Sequence, residues 1–162
     1  MNYNDLNRNK EKIKNYLQKK FPIILEQEFK CPTFLIGGAV KDILNDRKPK
    51  DLDIVVLNDS DCIELFTEYH KLEFIKNSFG GYKINYNGLL VDMWNTNDLY
   101  NVLEYTYDGL FYDINNDYII PIGYVWSINN GCVDSLNNDF IHPLKERREE
   151  RRDKIRKDLC NK

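Results

Sequence analysis

The chain has 162 residues, of which 42% are hydrophobic and 13% aromatic, so it is long and apolar enough to fold as one domain. The net charge of −3 excludes a protein that is basic over its whole surface, although a local basic patch remains compatible with it.

The first twenty residues are polar and charged, and no later segment reaches the ~20 apolar residues of a membrane helix. We therefore expect a soluble cytoplasmic protein that has no membrane partner. The four cysteines are scattered without a C-x-x-C pair and only two histidines accompany them. This pattern disfavours a zinc site and predicts reduced, structural thiols.

Helices and strands are predicted to alternate in the N-terminal half. Residues 1–21 read as an amphipathic helix that Asp5 caps and Pro22 stops. A strand over Thr33–Ile36, a helix over 39–45 and a second strand over 52–57 follow. The next helix begins at Ser60 or Asp61, and its apolar positions are Ile63, Leu65, Phe66 and Tyr69.

Hairpins are predicted to dominate the next part of the chain, with turns at Gly80–Gly81, Asn87–Gly88 and Asn115–Asn116 and a short helix over 98–104. Hairpin-linked and helix-linked strands together indicate an α/β (α+β) fold with a mixed, twisted sheet flanked by helices. We expect a single domain over 1–162, with its core at about 33–122.

A charged helix is predicted over 143–160. The arginines that share one stripe of it are Arg147, Arg148, Arg151, Arg152 and Arg156. Two interpretations remain open. The helix is either a solvated surface laced by ion pairs or a surface that touches RNA phosphates or the NTP.

Acidic residues occur at three positions where strands are predicted. Asp51 and Asp53 are two residues apart, so their side chains share one face of a strand. Adjacent carboxylates repel each other unless a divalent cation lies between them. Asp92 interrupts another apolar strand, where a lone aspartate is expensive. If the two strands are neighbours, the three carboxylates can hold two Mg²⁺ ions for phosphoryl transfer.

Two glycines precede this acidic pair. Gly37 and Gly38 end a strand and open a helix, so their backbone allows a ligand to approach closely. The nearby positive side chains are Lys41, Arg47, Lys48 and Lys50, which favour an anion there.

The stretch from Gly37 to Asp53 resembles the head-domain signature of class II tRNA nucleotidyltransferases and bacterial poly(A) polymerases, members of the DNA polymerase beta superfamily. That signature runs G-G-x-V-R-D, two apolar residues, a turn with Arg, then D-x-D. Here the matching residues are Gly37-Gly38-Ala39-Val40-Lys41-Asp42, Ile43-Leu44, Arg47 and Asp51-Leu52-Asp53, with lysine in place of the first arginine.

The resemblance implies transfer of a nucleoside monophosphate from an NTP, such as ATP, to a hydroxyl, with release of pyrophosphate. Asp51 and Asp53 would then be metal ligands for Mg²⁺ or Mn²⁺, and Gly38 and Lys41 would contact the triphosphate. The remaining residues of the predicted nucleotide site are Gly37, Asp42 and Arg47, of which the last two would support the loop.

A second, weaker resemblance covers 102–113, where Thr106, Leu110, Tyr112 and Asp113 agree with R-R-D-F-T-I-N-A-L-A-Y-D but both arginines are absent. The neck, body and tail that select the base and hold tRNA in that family have no counterpart in this chain, so base and acceptor do not carry over.

Several functions therefore remain open. The acceptor is an RNA 3′ end, as in tRNA processing, or a small molecule, or a protein hydroxyl. A catalytically weak nucleotide-binding subunit is the alternative from another class. A chain whose partner protein supplies the RNA clamp is a third.

Overall fold

The computed structural model describes residues 2–26, 31–57, 61–77, 80–102 and 106–131, together with 150, 152–155 and 157. Five α-helices and seven strands have both ends within these ranges. The helices are α1 (Tyr3–Arg8), α2 (Lys10–Lys20), α3 (Gly38–Leu44), α4 (Asp61–Tyr69) and α5 (Tyr124–Asn130). The strands are β1 (Thr33–Ile36), β2 (Asp51–Leu57), β3 (Phe74–Lys76), β4 (Tyr82–Tyr86), β5 (Leu89–Thr96), β6 (Leu110–Asp113) and β7 (Tyr118–Pro121).

The strands form one sheet in the order β3-β4-β5-β2-β1-β6-β7. Strands β2 and β5 run parallel, whereas the other five neighbouring pairs are antiparallel. The sheet is therefore mixed, and the predicted α/β class with helices against a mixed sheet is confirmed.

The main core lies on the helix-bearing face of the sheet. It includes Ile13 and Leu17 of α2, Val40 of α3 and Leu52 and Ile54 of β2, all of which are fully buried. A smaller cluster on the opposite face joins Phe34, Ile36, Val55 and Phe111. Since successive residues of a strand point to opposite faces, β2 supplies alternate side chains to both clusters.

Two of the predicted hairpins follow the turn chemistry that the sequence predicts. Asn87 and Gly88 both have positive φ, 51° and 88°, as a two-residue hairpin loop between β4 and β5 requires. The turn between β6 and β7 spans the predicted Asn115–Asn116, and the carboxylate of Asp113 accepts hydrogen bonds from both backbone amides.

The N-terminal helix differs from the prediction. It is two helices, α1 and α2, interrupted at Asn9. The cap of α1 is Asn2, whose side chain accepts from the amide of Asp5 while the Asp5 carboxylate accepts from the amide of Asn2. Asp5 therefore closes a capping box from inside the helix instead of starting it.

Helix α4 also presents a different face from the predicted one. Ile63 and Phe66 are buried as expected, but Leu65 and Tyr69 are 47% and 54% exposed. Cys62 and Thr67 take the other buried positions, and the Thr67 hydroxyl is satisfied within the helix because it donates to the carbonyl of Glu64. The predicted helix over 98–104 is a 3₁₀ turn, Leu99–Val102, as far as the described residues extend.

Cys31 and Cys62 are paired as a disulfide, with their Cα atoms 6.7 Å apart. This pairing differs from the predicted reduced thiols, and it ties the approach to β1 to the start of α4. Cys132 and Cys160 lie outside the described residues.

The predicted C-terminal helix lies mostly outside the described residues, as do Arg147, Arg148, Arg151 and Arg156 of its arginine stripe. Residues 152–155 are helical, Arg152 is exposed, and Ile155 is buried in the main core. None of the described helices is long and apolar enough to span a membrane.

Candidate active site

Strands β2 and β5 bring the three predicted carboxylates to one face of the sheet. Asp53 and Asp92 are direct partners across the parallel pair, and Asp51 lies opposite Leu90. Leu52 and Ile54 are fully buried on the helix-bearing face, so Asp51 and Asp53 point to the other face. The predicted neighbourhood of Asp92 and the Asp51–Asp53 pair is therefore present in the fold.

The three carboxylates differ in their surroundings. Asp51 is exposed at the beginning of β2, whereas Asp53 and Asp92 are half-buried. Burial raises the pKa of Asp92 above its ordinary value, Lys83 opposes this, and the negative charge of Asp51 adds to it. The ionised form of Asp92 is therefore costly in the protein alone, and a nearby cation would relieve that cost.

Lys83 lies on the far side of Asp92 from Asp53. It is the direct cross-strand partner of Asp92 in the antiparallel β4–β5 pair, so the three side chains form a row across three strands. The order of charges along that row is positive, negative, negative. An anion bound above this row would be attracted by Lys83 at one end and repelled by the two carboxylates at the other, unless cations were bound between them.

The glycine turn follows β1 immediately beside this row, since Ile36 is the cross-strand partner of Asp53. Gly37 has φ 72°, a conformation that favours glycine, and a Cβ built on it would lie 4.0 Å from Oδ2 of Asp53. Gly38 is exposed, and a Cβ built on it would meet nothing within 4 Å. The fold's own packing therefore does not require a glycine at 38, and the space above it is open to a ligand.

A pocket of about 510 Å³ opens on the carboxylate-bearing face. Asp53 and Asp92 form part of its wall, and Lys83 and Gly81 of the β3–β4 hairpin form another part. Trp94 and Asn95 extend the wall along β5. A volume of this size lies within the range of small-molecule and cofactor sites. We refer to this cavity as the carboxylate pocket.

Lys41 is placed away from open solvent. Its side chain is only 9% exposed, and its ammonium lies 4.0 Å from Oδ1 of Asp108 and 3.8 Å from the centre of the Tyr107 ring. These contacts tie α3 to the 3₁₀ turn Thr106–Asp108. The predicted contact between Lys41 and a triphosphate is not visible in this arrangement and stays a prediction.

Asp42 and Arg47 interact with each other in the loop that leads to β2. The guanidinium Nε lies 3.3 Å from Oδ1 of Asp42, and the Arg47 amide donates to the Asp42 carbonyl at 2.7 Å. Both contacts hold the loop after α3 closed. The supporting role that the resemblance implies for this pair stays a prediction.

No protein-family model matches the sequence, and no curated protein matches it significantly. Several solved structures match the fold. The CCA-adding enzyme of Thermotoga maritima complexed with tRNA aligns with a TM-score of 0.62 and 20% identity over 98% of this chain and 45% of that one.

A tRNA nucleotidyltransferase complexed with a primer tRNA and an incoming ATP analogue aligns with a TM-score of 0.62 and 17% identity, over 86% of this chain and 49% of that one. A CCA-adding enzyme in complex with ATP gives 0.59 and 23%, over 78% and 34%. The chain has a nucleotidyltransferase fold. It spans less than half the length of each of these three matched chains.

The nucleotidyltransferase fold raises the question of whether the residues present suit a divalent metal. Within the described ranges, no group of three or more His, Cys, Asp or Glu side chains forms a ready metal cage. The donors at the pocket are carboxylate oxygens, which suit Mg²⁺ or Mn²⁺ better than zinc. Mg²⁺ is commonly held by one or two carboxylates together with substrate phosphates, so Asp51, Asp53 and Asp92 fit it in donor chemistry.

The sequence analysis did not single out several residues that line the carboxylate pocket or contact Lys41. The position of Lys83 could have been predicted from the sequence, because a two-residue turn at Asn87–Gly88 fixes the register that places it opposite Asp92. The position of Asn77 could not have been predicted in this way, since it lies in the β3–β4 turn. There it lines the pocket, and its side chain accepts a hydrogen bond from the amide of Gly81. Asp108 and Tyr107 carried no sequence signal as partners of Lys41.

Proposed function

We propose that the chain is a metal-dependent nucleotidyltransferase that moves a nucleoside monophosphate from an NTP to an acceptor hydroxyl, with an RNA 3′ end as the preferred acceptor. The observation that carries the proposal is the direct pairing of Asp53 with Asp92 on the wall of a pocket that adjoins the Gly37–Gly38 turn. Carboxylates can hold the metal ions of this chemistry, and an open glycine turn lets phosphates approach the backbone.

Asp51, Asp53 and Asp92 would hold two divalent ions. Ions bound there would supply Lewis-acid activation of the acceptor hydroxyl and would neutralise charge on the phosphates. In the reaction the hydroxyl oxygen bonds to the α-phosphorus, the bond to the bridging oxygen of the β-phosphate breaks, and pyrophosphate leaves with the electron pair. The hydroxyl proton is released to the solvent.

The protein side chains around the turn would position the triphosphate. Gly38 leaves space for a phosphate to approach the backbone, and Lys83 contributes positive charge on the same wall as the carboxylates. Lys41 acts as a positioning residue, because its buried contacts with Asp108 and Tyr107 fix α3 and thereby the turn. Asp42 and Arg47 support the loop that follows α3.

The RNA acceptor is supported by the fold neighbours whose structures contain tRNA and by the predicted arginine stripe of the C-terminal helix. Of that stripe, Arg152 is described and exposed. Ile155, in the same turn, anchors the segment to the main core, so the exposed arginine is held by the folded body. A partner protein that completes the RNA clamp remains compatible with the proposal.

The proposal is tested by incubating the purified protein with RNA, Mg²⁺ and each NTP labelled on the α-phosphate. We expect label to enter RNA, pyrophosphate to be released in equal amount, and both to stop when EDTA is added. Binding of NTP without any transfer to RNA, small alcohols or protein would instead identify a nucleotide-binding subunit. That second candidate is favoured by two features, the burial of Lys41 at an arginine position and the missing arginine pair.

A further inference from the structure

A second cavity, of about 680 Å³, lies on the helix-bearing side of the sheet. It is bordered by the end of α2, by the loop between α3 and β2 and by the β4–β5 turn. Its basic residues are Lys19, Lys20, Lys48 and Lys50. The residues shown lining it include no aspartate or glutamate. We refer to this cavity as the lysine pocket.

The four lysines are not neutralised in the described part of the chain. None of the ion pairs recorded there includes Lys19, Lys20, Lys48 or Lys50. Other lysines of the same helix behave differently, because Lys12 pairs with Asp46 and Lys14 lies 4.0 Å from Asp117. The positive charge around the pocket is therefore concentrated and is not tied up in ion pairs among the described residues, which favours an anionic ligand.

Helix geometry alone does not explain this cluster. Lys19 and Lys20 lie in the last turn of α2, where the helix dipole favours cations. Lys48 and Lys50 come from a separate loop, on either side of Pro49, which is buried. The proline fixes the backbone between the two lysines, so the loop presents both of them to solvent at the same cavity.

A buried hydroxyl group gives a second, independent indication of a ligand. Tyr16 lines the lysine pocket, and its phenolic oxygen is buried without a hydrogen-bond partner among the described residues. A buried polar group without a partner is destabilising, and a turn of the Tyr16 ring toward the cavity would let its hydroxyl donate to a phosphate oxygen there. Tyr86 adds a partly buried aromatic ring to the same wall.

The pocket also lies next to the carboxylate site. Lys50 directly precedes Asp51, and Leu89 directly precedes Leu90, the cross-strand partner of Asp51. Asp51 is exposed at this end of the sheet, where β2 begins. A ligand chain that leaves the lysine pocket across this end therefore reaches the carboxylates. A polymer of phosphates can bridge the two places, whereas a single small anion cannot.

We propose that the lysine pocket binds backbone phosphates of a single-stranded RNA acceptor and directs its 3′ end over Asp51 to the carboxylate pocket. This inference rests on the proposed function. Basic side chains interleaved with aromatic rings suit a single strand, whose phosphates meet the lysines and whose bases meet the rings.

The test compares three variants of the full chain by fluorescence anisotropy with a labelled single-stranded RNA of ten nucleotides across a salt series. The double variant Lys19→Gln/Lys20→Gln removes pocket charge at a distance from the Gly37–Gly38 turn. The control Lys12→Gln/Lys14→Gln removes the same charge from the same helix outside the pocket. Tyr16→Phe removes only the unpartnered hydroxyl, so circular dichroism should show an unchanged or higher melting temperature.

We expect the pocket double variant to weaken RNA binding and to lower the log–log salt slope by about 1.4, or about 0.7 for each lost phosphate contact. The control should leave the slope unchanged, and Tyr16→Phe should weaken binding by roughly two- to tenfold. NTP affinity, measured by calorimetry, should stay the same in all three variants.

An equal slope in the pocket variant and the control would overturn the inference. It would also fall if tripolyphosphate displaced the RNA at equal phosphate concentration, since the pocket would then be a small-anion site. The proposed function is judged separately, because transfer of the α-phosphate label by wild-type protein would uphold it even when the pocket variant binds RNA normally. Failure of the wild-type protein to bind RNA would contradict the pocket, while transfer to a small alcohol would still uphold a transferase.

Discussion

Gly37 and Gly38 are adjacent glycines with different physical reasons to be glycine. Gly37 has φ 72°, which an L side chain rarely adopts, whereas a Cβ on Gly38 would meet no protein atom within 4 Å. The sequence predicted a turn and a phosphate site at the pair. It did not separate the residue that the backbone requires from the residue that leaves room for a ligand.

Replacement of each glycine by alanine should therefore have opposite effects. Gly37→Ala should lower the free energy of unfolding by about 1–3 kcal/mol, because it strains the backbone. Gly38→Ala should leave the free energy of unfolding unchanged or raise it by up to about 1 kcal/mol, since alanine has a higher helix propensity than glycine. It should nevertheless weaken NTP binding about tenfold, a loss of about 1.4 kcal/mol. Urea denaturation and calorimetry measure the two quantities, and unchanged NTP affinity in Gly38→Ala would place the triphosphate elsewhere.

Asp92 is predicted to be a residue that is kept at a cost to stability. Burial raises the pKa of Asp92, so its ionised carboxylate disfavours folding at neutral pH when no cation is bound. Asp92→Asn should raise the free energy of unfolding in EDTA, by less than about 1 kcal/mol because solvent reaches the group. The same variant should lose transfer activity by orders of magnitude. A less stable variant that keeps full activity would show that Asp92 is a structural aspartate.

The residue before β6, Gly109, and the residue after β7, Ile122, approach each other unusually closely. A Cβ on Gly109 would overlap the backbone carbonyl of Ile122, and the amide of Ile122 donates to the carbonyl of Gly109 at 2.6 Å. Gly109→Ala should therefore destabilise the protein by at least about 2 kcal/mol. Denaturation in urea should show this loss beside Gly38→Ala as the matched control, and a midpoint equal to wild type would mean that the approach is not required.

The Cys31–Cys62 pair connects two elements that are 31 residues apart in sequence. For a loop of that length the pair should contribute about 3–4 kcal/mol by restricting the unfolded chain. Peptide mapping without reductant should recover a linked Cys31–Cys62 peptide, and reduction should lower the melting temperature. Recovery of both cysteines as free thiols from carefully isolated protein would contradict the pairing and restore the sequence prediction.

The elements that local chemistry determines were predictable from sequence. The β4–β5 hairpin follows from Asn87–Gly88, and the strand Thr33–Ile36 follows from its apolar run before two glycines. The errors came from competing local signals. Asn9 divides the N-terminal helix although the apolar pattern continues through it, and α4 buries Thr67 where periodicity alone favoured Leu65.

In the molecule as a whole, side-chain alternation was enough to place Asp51 and Asp53 on one face. The partnership of Asp53 with Asp92 is different, because a parallel pair depends on how distant strands assemble and no turn fixes its register. Two other features likewise depend on how distant segments assemble, namely the buried contact of Lys41 with Asp108 and the lysine pocket. Both join segments that are far apart in sequence, so neither leaves a local pattern.

The paired carboxylates Asp53 and Asp92 are proposed to hold the metal ions for nucleotidyl transfer. The most direct test is the initial rate of α-phosphate transfer in a matched pair of variants. Asp53→Asn removes the charge that faces Asp92, whereas Asp61→Asn makes the same chemical change at the exposed start of α4, beyond the opposite end of β2. We predict that Asp53→Asn retains the fold by circular dichroism and loses at least about a thousandfold in rate, roughly 4 kcal/mol of barrier, while Asp61→Asn keeps the wild-type rate. Equal rates in the two variants would contradict the claim.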